Sequence, residues 1–256
     1  MERFFVDKNS IVRKIWGSAD TVLFIFAGAA AEFALNKAVD WLYFTGRLPA
    51  DPLGRLFSTV TYSRQIIFSK EETALRSIDQ ITAIHKGVEK HRGSQIPDWA
   101  YRDVLFMLID YSIRSFELLE RELEIPEKTE VFWVFHRVGG RMNLTGLPAS
   151  YDEYCIMRTE HLAQNLISSK FTIDLYGKYR DHLRPIRYAI LKQVQAKLVP
   201  AKVKALLPFG NIQWITPLLV LYKALKSAGL EKPFKNALLP AAYKDKVKAM
   251  DNSGTY

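Results

Sequence analysis

PDWAYRDVLFMLIDYSIRSFELLERELE, residues 97–124, is the stretch that decides the fold. Val104, Leu105, Leu108, Ile109, Ser112, Phe116 and Leu119 recur at steps of three and four, the period of one helix face. Gly93 and Pro97 punctuate the chain before this run, and Pro126 ends it. The same period appears on both sides. Upstream, Asp20 caps a helix through the apolar stretch to about Tyr43, and Gly46, Pro49 and Pro52 mark a turn. Asp51 then Pro52 is a capping carboxylate followed by proline at the first helical position, opening a helix to about Phe68. Ser69 and Glu72 read as a capping box for a helix whose apolar face is Ala74, Ile78, Ile81 and Val88, with His85 on the same stripe. Downstream, the period predicts helices over 128–138, from a second capping box at Ser150 and Glu153 to about Ser168, and over 172–182, 185–205 and 214–227. Gly139 to Pro148 reads as a loop. Alternating strand patterns are scarce and no repeat is present. The reading is all-α: a single multi-helix domain over 10–240 and a C-terminal tail at 241–256.

Composition narrows the classes. The chain has 256 residues, 48% hydrophobic and 25% charged, which suits a globular core and excludes disorder and collagen-like sequence. One cysteine, Cys155, excludes an intramolecular disulfide and any all-Cys metal site; it reads as a buried structural thiol. Five histidines show no zincin spacing, and there is no phosphate-binding glycine loop or Gly-x-Ser-x-Gly elbow. The net charge of +9 is uneven: residues 170–256 carry 16 Lys or Arg against five Asp or Glu, and residues 1–169 carry 20 against 22. A basic C-terminal third suits a membrane surface or an acidic partner. Nucleic acid is not expected, since no recognition motif accompanies the charge.

The N-terminus lacks the apolar core and cleavage site of a signal peptide. Glu32 ends the apolar run from Val22 far short of a bilayer span, and Ala205–Tyr222 is uncharged but broken by Pro208, Gly210 and Pro217. The latter reads as a core helix, with contact at a membrane surface as the alternative. The expected compartment is the cytoplasm.

Several residues stand out for their chemistry. His85 lies four residues after Ile81 and three before Val88. A histidine there is more often a packed core residue, but imidazole is also a common axial ligand of haem iron. Arg55 and Thr59, one turn apart on the preceding helix, share a face. There the arginine can hold a carboxylate or polarise an oxygen species, and the threonine can donate a hydrogen bond. Glu32 interrupts an apolar helix, where a charge is costly unless paired or facing a cavity, and Asp40 is a second acid/base candidate. Arg137 and Arg141 flank the double glycine and can clamp haem propionates through paired hydrogen bonds.

The run DPLGRLFST, residues 51–59, followed by IHKGV, residues 84–88, resembles the haem-dependent oxygenase family of the fungal MpaB protein and the bacterial rubber oxygenases (latex clearing proteins). An arginine, a threonine four residues on, then a histidine with valine three positions further carry the likeness. LFIFAGAAAEFA, residues 23–34, and the 98–122 helix resemble further parts of it. The resemblance implies a globin-like arrangement of helices around a pocket for one haem b, His85 as the proximal iron ligand, and Arg55 and Thr59 on the distal side. Ser58 stands where the rubber oxygenases carry a lysine and is too short to ligate iron. Leu108–Tyr111 stands where many relatives carry a histidine, so Asp110 and Tyr111 are candidates to change the pocket's polarity.

The function implied is a haem b-dependent oxidoreductase, an oxygenase acting on a hydrophobic, terpenoid or lipid-like substrate with O2. The alternative is a non-catalytic haem or hydrophobic-ligand binding protein that docks on membranes through the basic C-terminal region.

Overall fold

Two helices organise the molecule, one of them receiving an aromatic ring of the other directly against its backbone. Residues 27–31 are Ala-Gly-Ala-Ala-Ala, a stripe of minimal side chains in the middle of the second helix. A methyl group placed on Gly28 would lie 2.3 Å from Cδ1 of Tyr111, so only glycine lets the two helices meet there.

The computed structural model describes residues 3–46, 50–210 and 214–227, with the backbone alone of residues 52, 53, 55–57 and 227. Eleven helices occur among the described residues, with no strand. They are α1 (Ile11–Gly17), α2 (Ala19–Phe33), α3 (Val39–Phe44), α4 (Pro52–Phe68), α5 (Glu71–Arg92) and α6 (Asp98–Leu119). The remainder are α7 (Ile125–Arg141), α8 (Tyr151–Gln164), α9 (Lys170–Leu198), α10 (Ala201–Leu206) and α11 (Ile215–Ser227). The all-α expectation holds. The 228–240 end of the expected domain and the 241–256 tail lie outside the described residues.

α2 and α6 run antiparallel through the centre. Trp16, at the end of α1, donates its indole N–H to Ser112 on α6 at 3.1 Å, and Asn36 donates to Asp103 at 2.7 Å. α6 is buried on more than its expected stripe: Phe106, Met107 and Tyr111 are enclosed along with Leu105, Ile109, Ser112, Phe116 and Leu119. Val104, read as inward-facing, is 40% exposed. α9 packs on α2 through Thr172, which donates to the carbonyl of Ala34 at 2.7 Å, and Gln195, which donates to that of Ala27 at 3.1 Å.

Several boundaries differ from the sequence reading, for local reasons. The helix expected over 20–43 breaks after Phe33, where the Asn36 side chain accepts the Ala38 N–H at 2.8 Å and turns the chain. Ser18, not Asp20, caps α2. The capping box at Ser69 does not form; the Glu71 N–H instead bonds the carbonyl of Arg3 in the N-terminal segment. At α8, Ser150 caps as expected, but the Glu153 carboxylate takes the Ala149 N–H rather than that of the cap. Pro126 falls in the first turn of α7, and that helix runs through Gly139 and Gly140 to Arg141. Gly139 has a reason to be there: a Cβ would meet Leu105 at 2.9 Å. The break expected between residues 182 and 185 is a kink, with Arg184 at φ 62° before Pro185, which bars its predecessor from the helical region.

Candidate cofactor site

α4 and α5 form an antiparallel pair joined at Ser69 and Lys70. Asp51 caps α4 by accepting the Gly54 N–H at 2.8 Å, with Pro52 in the first turn. At 1.5 Å of rise per residue, Thr59 and His85 lie roughly 15 and 22 Å from the connecting turn, towards the same end of the pair. Thr59 is half-buried and Ser58 exposed. The backbone of Arg55 is one helical turn before Thr59; its side chain lies outside the described residues.

Burial changes along α5. Ala74, Ser77 and Ile78 are fully enclosed, whereas Ile81, His85 and Val88, further along the same face, are half-buried. The apolar stripe thus leaves the packed core where His85 stands. The His85 ring meets the edge of Tyr101 at a centroid distance of 5.2 Å. Tyr101 in turn donates to Glu89 at 3.1 Å; burial, then the nearby Glu89 charge, push its phenol well above the ordinary range.

Seven residues beyond His85, hence on almost the same face, Arg92 gathers a second group. Its Nη2 donates to Asp40 at 2.7 Å, and its guanidinium lies 3.9 Å from the Trp41 ring centroid. Its Nη1 is buried and has no hydrogen-bond acceptor. The sequence reading noted Asp40 and passed over Arg92. The i, i+7 spacing from His85 was the available signal.

The other candidate residues fall elsewhere. Glu32 is 1% exposed, between α2, α6 and α8. Arg158 on α8 grips both its carboxylate oxygens, with Nη2 to Oε2 at 2.6 Å, and Tyr111 donates to Oε2 at 2.8 Å. Arg158 also reaches Asp110 at 2.9 Å, and Asp110 pairs with Arg114 at 2.8 Å. Burial opposes ionisation of Asp110, but Arg158 and Arg114 outweigh it and hold the carboxyl below its usual range. Burial, then the Glu32 charge, push the Tyr111 phenol far up. Glu32 and Asp110 thus share the Arg158 guanidinium, with Arg114 as a further cation at Asp110 and Tyr111 as a neutral donor to Glu32. Sequence reasoning missed Arg158, the hub, because its partners lie 126 and 48 residues away.

Arg137 donates to the carbonyl of Phe5 at 2.7 Å and covers the Phe5 ring; Arg141 makes a two-pronged pair with Asp79 at 2.8 and 2.6 Å on the surface. Cys155, read as buried, is exposed, because it points off the outer face of α8. His161, which carried no role in the sequence reading, pairs with the buried Asp103, which also accepts from Asn36 and Asn165.

Among the described residues no three His, Cys, Asp or Glu side chains converge as a metal cage. A single imidazole on an apolar helix face fits iron whose other donors come from a planar macrocycle, and not a metal ion held by protein ligands alone. A carboxylate-bearing macrocycle also matches the orphan guanidinium N–H groups of Arg92.

No described helix is long and apolar enough to cross a membrane. Among curated proteins, none matches the chain. A family model described as "ER-bound oxygenase mpaB/B'/Rubber oxygenase, catalytic domain" matches residues 14–225, from α1 to the last turn of α11. That span takes in His85, Thr59, Arg55 and the Asp40–Arg92 pair, and it assigns the chain oxygenase chemistry on a substrate with O2. The half-buried end of α4 and α5 thus belongs to a catalytic domain, and the chain is a member of the mpaB and rubber oxygenase family.

Proposed function

We propose that the protein is a haem b-dependent oxygenase acting on a hydrophobic, terpenoid or lipid-like substrate. The observation that carries this reading is the place of His85, on the inner stripe of α5 where that stripe emerges from the core. Haem, when bound, supplies the redox chemistry with O2 that protein side chains lack.

The chain's own residues have distinct tasks in this reading. The His85 imidazole holds the iron, and Tyr101 fixes the ring's edge. Arg92 holds a cofactor carboxylate through Nη1, pre-oriented by Asp40 and the Trp41 face. It takes the part first given to Arg137 and Arg141, whose guanidiniums serve Phe5 and Asp79. Thr59 would donate a hydrogen bond to a bound group, and Arg55 one turn earlier would add positive charge. Ile81, Val88 and neighbouring apolar groups exclude water. Asp40 is the acid/base carboxylate on this side of the molecule; Glu32, with both oxygens filled by Arg158 and Tyr111, has a structural part. The helices then enclose the haem in a globin-like way, within one domain over 10–240. The protein works in the cytoplasm and meets its apolar substrate at membranes through the basic C-terminal region.

The test is the visible absorption spectrum of protein made with ample haem, with a pyridine haemochrome assay for stoichiometry. A Soret band near one haem per chain, lost in His85→Ala, is expected. A colourless protein that ignores added haemin would sink the reading.

A further inference from the structure

α11 is apolar on two opposite faces. Ile215, Leu219 and Tyr222 are buried in the core, and the C-terminal half of the helix is anchored by Tyr222 to Asp20 and Lys226 to Glu120. At 100° per residue, Pro217, Val220, Leu221 and Ala224 fall on the far side, with Trp214 just before the helix. No polar side chain interrupts that face. Trp214 is 43%, Val220 64% and Leu221 50% exposed. An exposed helix face this apolar normally marks a contact, so this outer face needs an occupant.

Charge identifies it. From His182 to Leu230 there is no Asp or Glu and there are eight Lys or Arg. Lys202 and Lys204 on α10 and Lys223 on α11 are exposed. A second copy of the chain would bring the same lysines against these, with like charge opposing an isologous contact. An anionic surface is attracted instead, and each basic residue near it raises affinity roughly fivefold. Tryptophan at the boundary of an apolar strip and a cationic rim is the arrangement favoured at the headgroup level of a bilayer.

We propose that the outer face of α11, with Trp214, Val220 and Leu221 inserted and Lys223 on its flank, docks the protein on an anionic phospholipid bilayer. The proposal rests on the membrane-contact part of the reading above and is independent of haem. Docking there leaves the protein beside the phase in which apolar substrates dissolve.

The experiment is co-sedimentation of the full chain with phosphatidylcholine vesicles, with and without phosphatidylserine, at low salt and at about 0.5 M salt. The wild type should bind anionic vesicles at low salt at least about tenfold better than neutral ones, and release them at high salt. A triple variant, Trp214→Ser with Val220→Ser and Leu221→Ser, should bind about tenfold or more weakly while keeping its thermal melt. Should that variant misfold, Lys223→Glu tests the cationic flank of α11 with the core untouched. If the wild type binds no vesicle, the membrane-contact reading fails entirely. If wild type and correctly folded variants bind equally, the contact lies elsewhere and this surface is overturned, although the reading survives. Equal binding to neutral and anionic vesicles overturns the charge argument. A concentration-dependent dimer in sedimentation velocity, abolished by the triple variant, assigns the face to a second copy and overturns the proposal.

Discussion

The charged cluster around Arg158 and the half-buried end of the α4–α5 pair are both polar intrusions into an apolar protein, and they are built in opposite ways. Around Arg158, each charge meets a partner of opposite sign: Glu32 and Asp110 flank Arg158, Tyr111 caps Glu32 and Arg114 balances Asp110. At the other site, the polar groups lie nearer the surface: His85 is half-buried against Tyr101, and the Arg92 and Asp40 side chains are partly exposed. A charge network closed off from solvent leaves a ligand no access and has much to lose if one member goes. A site nearer the surface contributes little to the fold and keeps its chemistry available. An unusual charge in a helix is therefore a weak pointer to catalysis until its partners are known.

The largest effect should come from emptying the saturated network. Arg158→Met leaves Glu32 and Asp110 buried without their shared cation, and should cost about 3–5 kcal/mol. A chain of this size should then melt roughly 10 °C lower by circular dichroism. A loss below about 1 kcal/mol would mean that solvent reaches Glu32, and would return it to the acid/base candidates.

Gly28→Ala probes the helix crossing that encloses the network. The added methyl collides with the Tyr111 ring, which is fixed by its bond to Glu32. Overpacking of this kind costs roughly 1–3 kcal/mol, measured by urea unfolding. An unchanged midpoint would show that the two central helices can separate without loss.

A smaller contrast lies at the surface end of α7. Hydrogen bonds from Arg121, then the Glu124 N–H, lower the Glu127 carboxyl from 4.5 to about 2. A depressed folded-state value means that the stabilisation is complete above about 4.5 and is lost as the pH falls towards 2. Glu127→Gln should remove that part of the acid dependence and lower stability at neutral pH by about 0.5–1 kcal/mol, the scale of a cap. An acid unfolding limb identical to wild type would place the sensitivity elsewhere, with Asp110 the next candidate.

The smallest effect on the fold is expected at the proposed cofactor ligand. His85→Ala should change the stability of the cofactor-free chain by no more than about 0.5 kcal/mol, yet abolish the Soret band. A large destabilisation with haem retained would reverse the comparison and make His85 a core residue. Arg92→Ala belongs beside it: haem should bind more weakly, and a haem with esterified carboxylates should bind wild type and variant alike.

The helical class, most of the helices, the Pro185 break and the Asp51 cap were legible in the sequence, because periodicity, proline geometry and side-chain caps act within a few residues. The family was legible too, from Arg55, Thr59 and His85 in order and spacing. Helix ends were less so. The turn at Asn36 also depends on Asp103, the start of α5 on the carbonyl of Arg3, and the run of α7 through two glycines on the approach of Leu105. The site divided in the same way. Sequence set His85 on a stripe, but whether that stripe stays buried is a property of what packs over it. It named Glu32, Arg137 and Arg141 by residue type, and only the folded chain assigned their partners.

Local rules thus determined which residues are helical and which faces are apolar. Tertiary structure decided which charges are neutralised and which remain available, because a pairing between residues 126 apart leaves no periodic trace. Coulomb and hydrogen-bond energies act through space, and the chain records that proximity only once it is folded.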